Sequence, residues 1–232
     1  PHLSEPELES KKKVRQVILG IQLLKPIMTS PEFIIHTQGD DYRVVDALKT
    51  NEHAFLANAE NISPELFSAD DVEKLRVLWP RIYHIYDRDG GKFNRITNAL
   101  EFFRVGLSML AWQLRFAMFI IALESIYSTS NVEVTYSLSQ RLAWFLGKNY
   151  AERLAYFEKA KKCYRIRSQI VHGDTVHGDL RKEVDGLMVD LEKMTRSTLL
   201  KILLDDQLVD VFLDNNKLKD YFSALTLHEV EK

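Results

Sequence analysis

Two arginines and a histidine fall within eight residues of one another in the string Tyr164-Arg165-Ile166-Arg167-Ser168-Gln169-Ile170-Val171-His172-Gly173-Asp174. Arginine stays charged at any physiological pH and presents a planar fork of donors that matches phosphate. Histidine exchanges a proton near neutrality. Together they form a minimal set for cleaving a phosphodiester without a metal: donors on the phosphoryl oxygens and a carrier for the proton. Arg165 precedes His172 by seven positions, so at ~100° per residue the two share one helical face. Arg167 stands ~140° round from His172, and a facing helix from a second copy would be needed to bring the two into one cleft. A plainer use competes, because a His in a last helical turn before Gly is also an ordinary helix end.

These residues need a rigid helix beneath them, and the pattern supplies one. Asn149 can cap a helix that carries Leu154, Phe157, Tyr164 and Ile170 and stops at Gly173. The same 3.6-residue rhythm predicts further helices over residues 7–24, 70–86, 137–146 and about 180–204, with a weaker helical segment over 207–227. Ser68-Ala69-Asp70-Asp71 reads as a helix start, and Pro80 should end or kink the helix that follows. Residues 93–128 read either as one very long helix or as two joined near Gly106. Residues 33–36 suggest a short strand or extended segment, and residues 41–58 one or two short helices. Asp89-Gly90-Gly91 is the clearest break. The expectation is an all-α fold: a mostly helical N-terminal region of unknown role over residues 1–90, then a helical bundle over 91–232.

Composition narrows the class. A chain of 232 residues, 46% hydrophobic and 28% charged, is that of an ordinary globular protein with room for a core. A net charge of −2 speaks against a strongly basic nucleic-acid coat and leaves room for a local basic patch. The one cysteine, Cys163, can form neither an internal disulfide nor a cysteine-rich zinc site, which suits a reducing, cytoplasmic setting. The start is charged from Glu5 to Lys13, unlike a secretory leader, and Pro1 in place of Met suggests a processed chain or a piece of a longer one. Residues 105–123 are mostly apolar but interrupted by Gln113 and Arg115, so a buried core helix is expected there and no membrane partner.

Other chemistry-bearing residues have competing uses. Glu124 and Arg141 lie in apolar helices, where charges persist chiefly when paired, so an ion pair between them is expected in a structural or supporting role. Arg167 could instead pair with Glu158 or Glu183, or lie solvated. Lys159, Lys161, Lys162, Arg165 and Arg167 concentrate positive charge on the motif helix, either as a footprint for a phosphate backbone or as solvated surface. Lys162, Arg165 and Ser168 are the candidate phosphate contacts. His172, Asp174, His177 and Asp179 offer zinc- or manganese-type ligands in a short loop, but two glycines suit a simple turn there, and no metal or cofactor is expected. Trp112, Phe116, Phe119, Trp144 and Phe145 recur at helical spacing and read as core.

An ordered series of short motifs carries a family likeness: Arg115 with Phe119, then Ala122-Leu123-Glu124-Ser125-Ile126-Tyr127, Leu138-Ser139-Gln140-Arg141-Leu142-Ala143, Lys162 with Tyr164, and Arg167-Ser168-Gln169-Ile170-Val171-His172-Gly173. Over roughly residues 95–205 the chain resembles the Apea-like branch of the HEPN superfamily. The resemblance implies a helical bundle that dimerises and, in many members, a metal-independent endoribonuclease of prokaryotic defence, toxin–antitoxin systems or RNA processing. It implies catalysis by an arginine and a histidine that enclose four to six residues, here Arg167 and His172 with four between them, with Tyr164 and Gly173 in support. Arg165 satisfies the looser spacing as well. The best-known nucleases carry Asn, Asp or His after the arginine, where this chain has Ser168. The alternative is therefore a non-catalytic HEPN-like binding or dimerisation module, nucleotide-binding or regulatory.

Overall fold

Helices dominate because apolar residues recur every three to four positions over most of the chain. The computed structural model describes residues 5–25, 33–38, 41–49, 68–88, 93–129, 134–176 and 178–227. Among these, the helices are α1 (Glu5–Leu24), α2 (Ala69–Asp87), α3 (Arg95–Ser108), α4 (Trp112–Tyr127), α5 (Val134–Leu146), α6 (Tyr150–His172), α7 (Gly178–Leu203), α8 (Asp206–Leu213) and α9 (Asn215–Leu227). Two strands, β1 (Phe33–Gln38) and β2 (Asp41–Lys49), pair as an antiparallel hairpin, with Phe33 opposite Lys49 and a register irregularity between His36 and Gln38. The chain divides into two units, residues 1–83 and 84–232. The glycine-rich break at residues 89–91 lies outside the described residues.

The first unit corrects one expectation and refines another. Residues 41–49 are strand, not helix, because β1 offers them a pairing partner. Residues 50–58 of that expected helical stretch lie outside the described residues. The helix begun by Ser68 does not end at Pro80 but runs on to Asp87, although the proline ring leaves the Arg76 carbonyl without its helical donor. Its start is a reciprocal cap. The Asp71 amide donates to Ser68 Oγ at 3.1 Å, while Asp71 Oδ2 accepts from the Ser68 amide at 2.9 Å and from Ser68 Oγ at 2.7 Å. Lys25 Nζ stands 3.3 Å from the same carboxylate. These donors, Ser68 foremost, hold the Asp71 carboxyl down at about 2 against an ordinary 3.8. Its stabilising effect should be complete above pH 3.8 and vanish as pH falls through about 2. Acid titration of unfolding should lose that component in Asp71→Asn, and an unchanged pH profile would disprove the cap's role.

The second unit is an all-α bundle centred on α4, which touches α3, α5, α6 and α7. Apolar residues cover that helix on nearly every side, and Phe116, Phe119, Ile120, Leu123 and Ile126 are at most 1% exposed. It is a core helix, and among the described residues no helix is long and apolar enough to cross a membrane. Of the aromatics expected in the core, Phe116, Phe119 and Phe145 are buried. Trp112 and Trp144 are half-buried beneath the guanidiniums of Arg181 and Arg153, at 5.4 and 4.1 Å from the ring centres.

Residues 93–128 resolve into two helices, broken at residues 109–111. Gly106 lies before the break and serves close packing: a Cβ there would sit 2.7 Å from Phe119 Cε1. Gly106→Ala should cost roughly 1–3 kcal/mol as overpacking exceeds the helix-propensity gain. A thermal midpoint equal to or above wild type would refute this.

The C-terminus of α4 ends in carbonyls that need donors. Arg95, at the start of α3, supplies them: its Nη1 donates to Ser125 O at 2.7 Å, Ile126 O at 3.2 Å and Ser128 O at 2.7 Å. Arg141 of α5 donates to Tyr127 O and stacks 5.0 Å over the Phe222 ring. The expected Glu124–Arg141 ion pair is therefore absent. Arg141 satisfies a helix end, where its charge also suits the dipole. Further along, Tyr127 Oη meets Thr198 Oγ1 at 2.9 Å within a cluster of rings that includes Phe145, Phe212 and Phe222.

Candidate functional site

Helix α6 is bounded by two local signals. Asn149 Oδ1 accepts from the Glu152 amide at 3.0 Å and starts the helix. Gly173 ends it with φ +76°, a left-handed value that favours glycine. The Gly173 amide donates to Ile170 O at 3.2 Å and the Asp174 amide to Gln169 O at 2.8 Å, closing the last turn. His172 is therefore the final helical residue, and its side chain is exposed.

The face to which each motif residue belongs decides what it can do. Arg165 is exposed two turns before His172, on the same side of the helix. Lys161, one turn earlier, and half-buried Ser168 continue this stripe. Lys161 Nζ lies 5.2 Å over the Phe157 ring and 3.8 Å from Glu158, a loose surface contact. Among the described residues, Arg165, Ser168 and His172 make no side-chain hydrogen bond or ion pair. The stripe rises ~16 Å along the axis from Lys161 to His172.

Arg167 points elsewhere. Its Nη2 lies 3.3 Å from Glu124 Oε2 on α4, in a pair whose side chains are 23% and 19% exposed. The guanidinium also stands 5.7 Å over the Tyr164 ring, one turn before it. Its Nε is buried without a hydrogen-bond acceptor. Burial, and next the neighbouring Glu124 carboxylate, push the Tyr164 phenol above its usual value. Glu124, Tyr164 and Arg167 thus form one cluster in the α4–α6 seam, while His172 and Arg165 form an outer face. Within one chain, the structure does not bring Arg167 and His172 together. The partners weighed for Arg167 from sequence, Glu158 and Glu183, are engaged by Lys161 and by Lys162, whose Nζ is 2.6 Å from Glu183 Oε2.

No family model, curated protein or solved structure matches the chain.

Two further features were missed from sequence. One is the role of Arg95 as the principal donor to the end of α4. The other is Arg181 over Trp112, which places one more cation on the surface of α7. For a metal site, no group of three or more His, Cys, Asp or Glu is suitably placed among the described residues. Asp174 is exposed, Asp179 pairs with Lys182 at 3.0 Å, and His177 lies outside the described residues.

Cys163 lies on the inner side of α6, fully buried, with Sγ 3.9 Å from Leu187 O of α7. Burial pushes its thiol up to about 12, so it has no place in nucleophilic chemistry.

Proposed function

We propose that the chain is a metal-independent endoribonuclease of HEPN type, acting in the cytoplasm as a homodimer in a defence or toxin–antitoxin role. The observation that carries this is the outer face of α6, where exposed Arg165 and His172 stand on one side of the helix without internal partners. Side chains with no structural partner are available to a ligand. Their chemistry suits an RNA phosphate flanked by its 2′-hydroxyl.

The 2′-hydroxyl is the nucleophile. Neutral His172 accepts its proton as oxygen attacks phosphorus, and the P–O5′ bond breaks as the leaving oxygen gains a proton from an acid. The histidine of a second copy, protonated, is suited to that step. Arginine donors hold the non-bridging oxygens as charge grows on them. The products are a 2′,3′-cyclic phosphate and a 5′-hydroxyl end. The test is cleavage of total cellular RNA in EDTA by wild type, Arg165→Ala, Arg167→Ala and His172→Ala, with folding followed by circular dichroism. Metal-free cleavage that needs His172 supports the proposal, and cleavage only with a divalent cation overturns it.

A second reading has its own support. Arg167 is engaged by Glu124, and Ser168 follows it where active relatives of the resembled family carry other residues. On that reading the domain binds RNA or a second copy without cutting. It predicts RNA retention by wild type with no cyclic-phosphate ends.

A further inference from the structure

An arginine paired with a carboxylate frequently uses both donors of one edge. Arg167 does not. It offers one donor to Glu124 at 3.3 Å and leaves Nε buried without an acceptor. A buried donor without a partner carries a desolvation cost. The guanidinium is thus held in place but under-satisfied, and an oxyanion able to accept from both donors is a better partner. The pair is also reachable, since neither side chain is fully buried. Glu124 also neighbours the Tyr164 phenol, whose ring lies under the Arg167 guanidinium.

We propose that Glu124 is a built-in competitor for the phosphate site, holding Arg167 in the α4–α6 seam until RNA phosphate displaces it. This rests on the ribonuclease reading and adds regulation to it. With the carboxylate in place, an incoming phosphate meets a neutralised arginine and a nearby like charge. When the guanidinium leaves Glu124 it stays on the seam side of α6, ~140° round from its own His172, and is free to meet the outer face of a facing α6 from a second copy. Arg167 then joins the phosphate grip it is turned away from in the free protein.

The experiment measures binding of a fluorescein-labelled, 2′-O-methylated single-stranded RNA to the full chain in EDTA by anisotropy. The 2′-O-methyl group blocks cleavage, so affinity is read alone. Glu124→Gln should bind on the order of tenfold tighter than wild type, and the gain should vanish when Arg167→Ala is added. Glu124→Asp, which keeps the charge but withdraws it from Arg167, should tighten binding by a smaller factor and serves if the glutamine variant fails to fold. A purely structural pair would lower the thermal midpoint without any gain in affinity. If wild type binds and the Glu124 variants bind equally or more weakly, competition is overturned while the RNA reading stands. If none of the folded proteins binds this RNA or cleaves cellular RNA, both fall.

Discussion

His172→Ala is expected to reduce RNA cleavage by about 10²–10⁴-fold, the span typical of losing a positioned general acid or base. The imidazole is exposed at the last position of α6, and nothing among the described residues depends on it for packing. The substitution should therefore leave the thermal midpoint nearly unchanged, as surface changes usually do. This separates the side chain's chemistry from the helix end, because Gly173 and not His172 closes the last turn. Initial rates in EDTA, together with a melting curve, give both numbers. A variant that cuts RNA as fast as wild type would remove His172 from the mechanism. A large fall in midpoint would make the residue structural.

Arg95→Ala should have the largest effect on stability of any charge removal in the second unit, about 2–4 kcal/mol. Four hydrogen bonds go at once: three to the carbonyls of Ser125, Ile126 and Ser128, and one from Nη2 to Asn215 Oδ1 at 2.8 Å. The carbonyls then close the core helix α4 with Arg141 as the remaining side-chain donor, at Tyr127 O. Arg95→Lys should recover only part of the loss, because a single ammonium group cannot reproduce the forked geometry. Urea unfolding of the three proteins measures this. A cost below about 0.5 kcal/mol, the level of an ordinary surface change, would show that water replaces the guanidinium freely.

Local signals were legible in the sequence, and tertiary choices were not. Asn149 and Gly173 bracket α6 because a cap and a left-handed stop act within a few residues of themselves. The Ser68–Asp71 start is of the same kind. The strand at residues 41–49 was misread because Tyr42, Val44 and Val45 favour strand while Asp46-Ala47-Leu48-Lys49 tolerates helix. Pairing with β1, a non-local event, decided between them. Glu124 announced by its apolar surroundings that it needed a partner, but several cations qualified, and only the packing of α4 on α6 selected Arg167 over Arg141. Arg95 gave no hint, since its function depends on a carbonyl thirty residues away. At the site, the shared face of Arg165 and His172 followed from helical geometry alone. The inward turn of Arg167 matched its ~140° offset, but its carboxylate neighbour did not follow from it.

The solitary thiol gives α6 an internal clock. Cys163 is sealed between α6 and α7 and its thiolate is suppressed, so an alkylating reagent at mildly alkaline pH can reach it only when the two helices part. The rate of its modification therefore counts openings of the helix that carries His172, with no engineered label and no second cysteine to confuse the signal. RNA that fastens onto α6 should slow that clock, so occupancy at the surface becomes readable from the chemistry of an atom in the core.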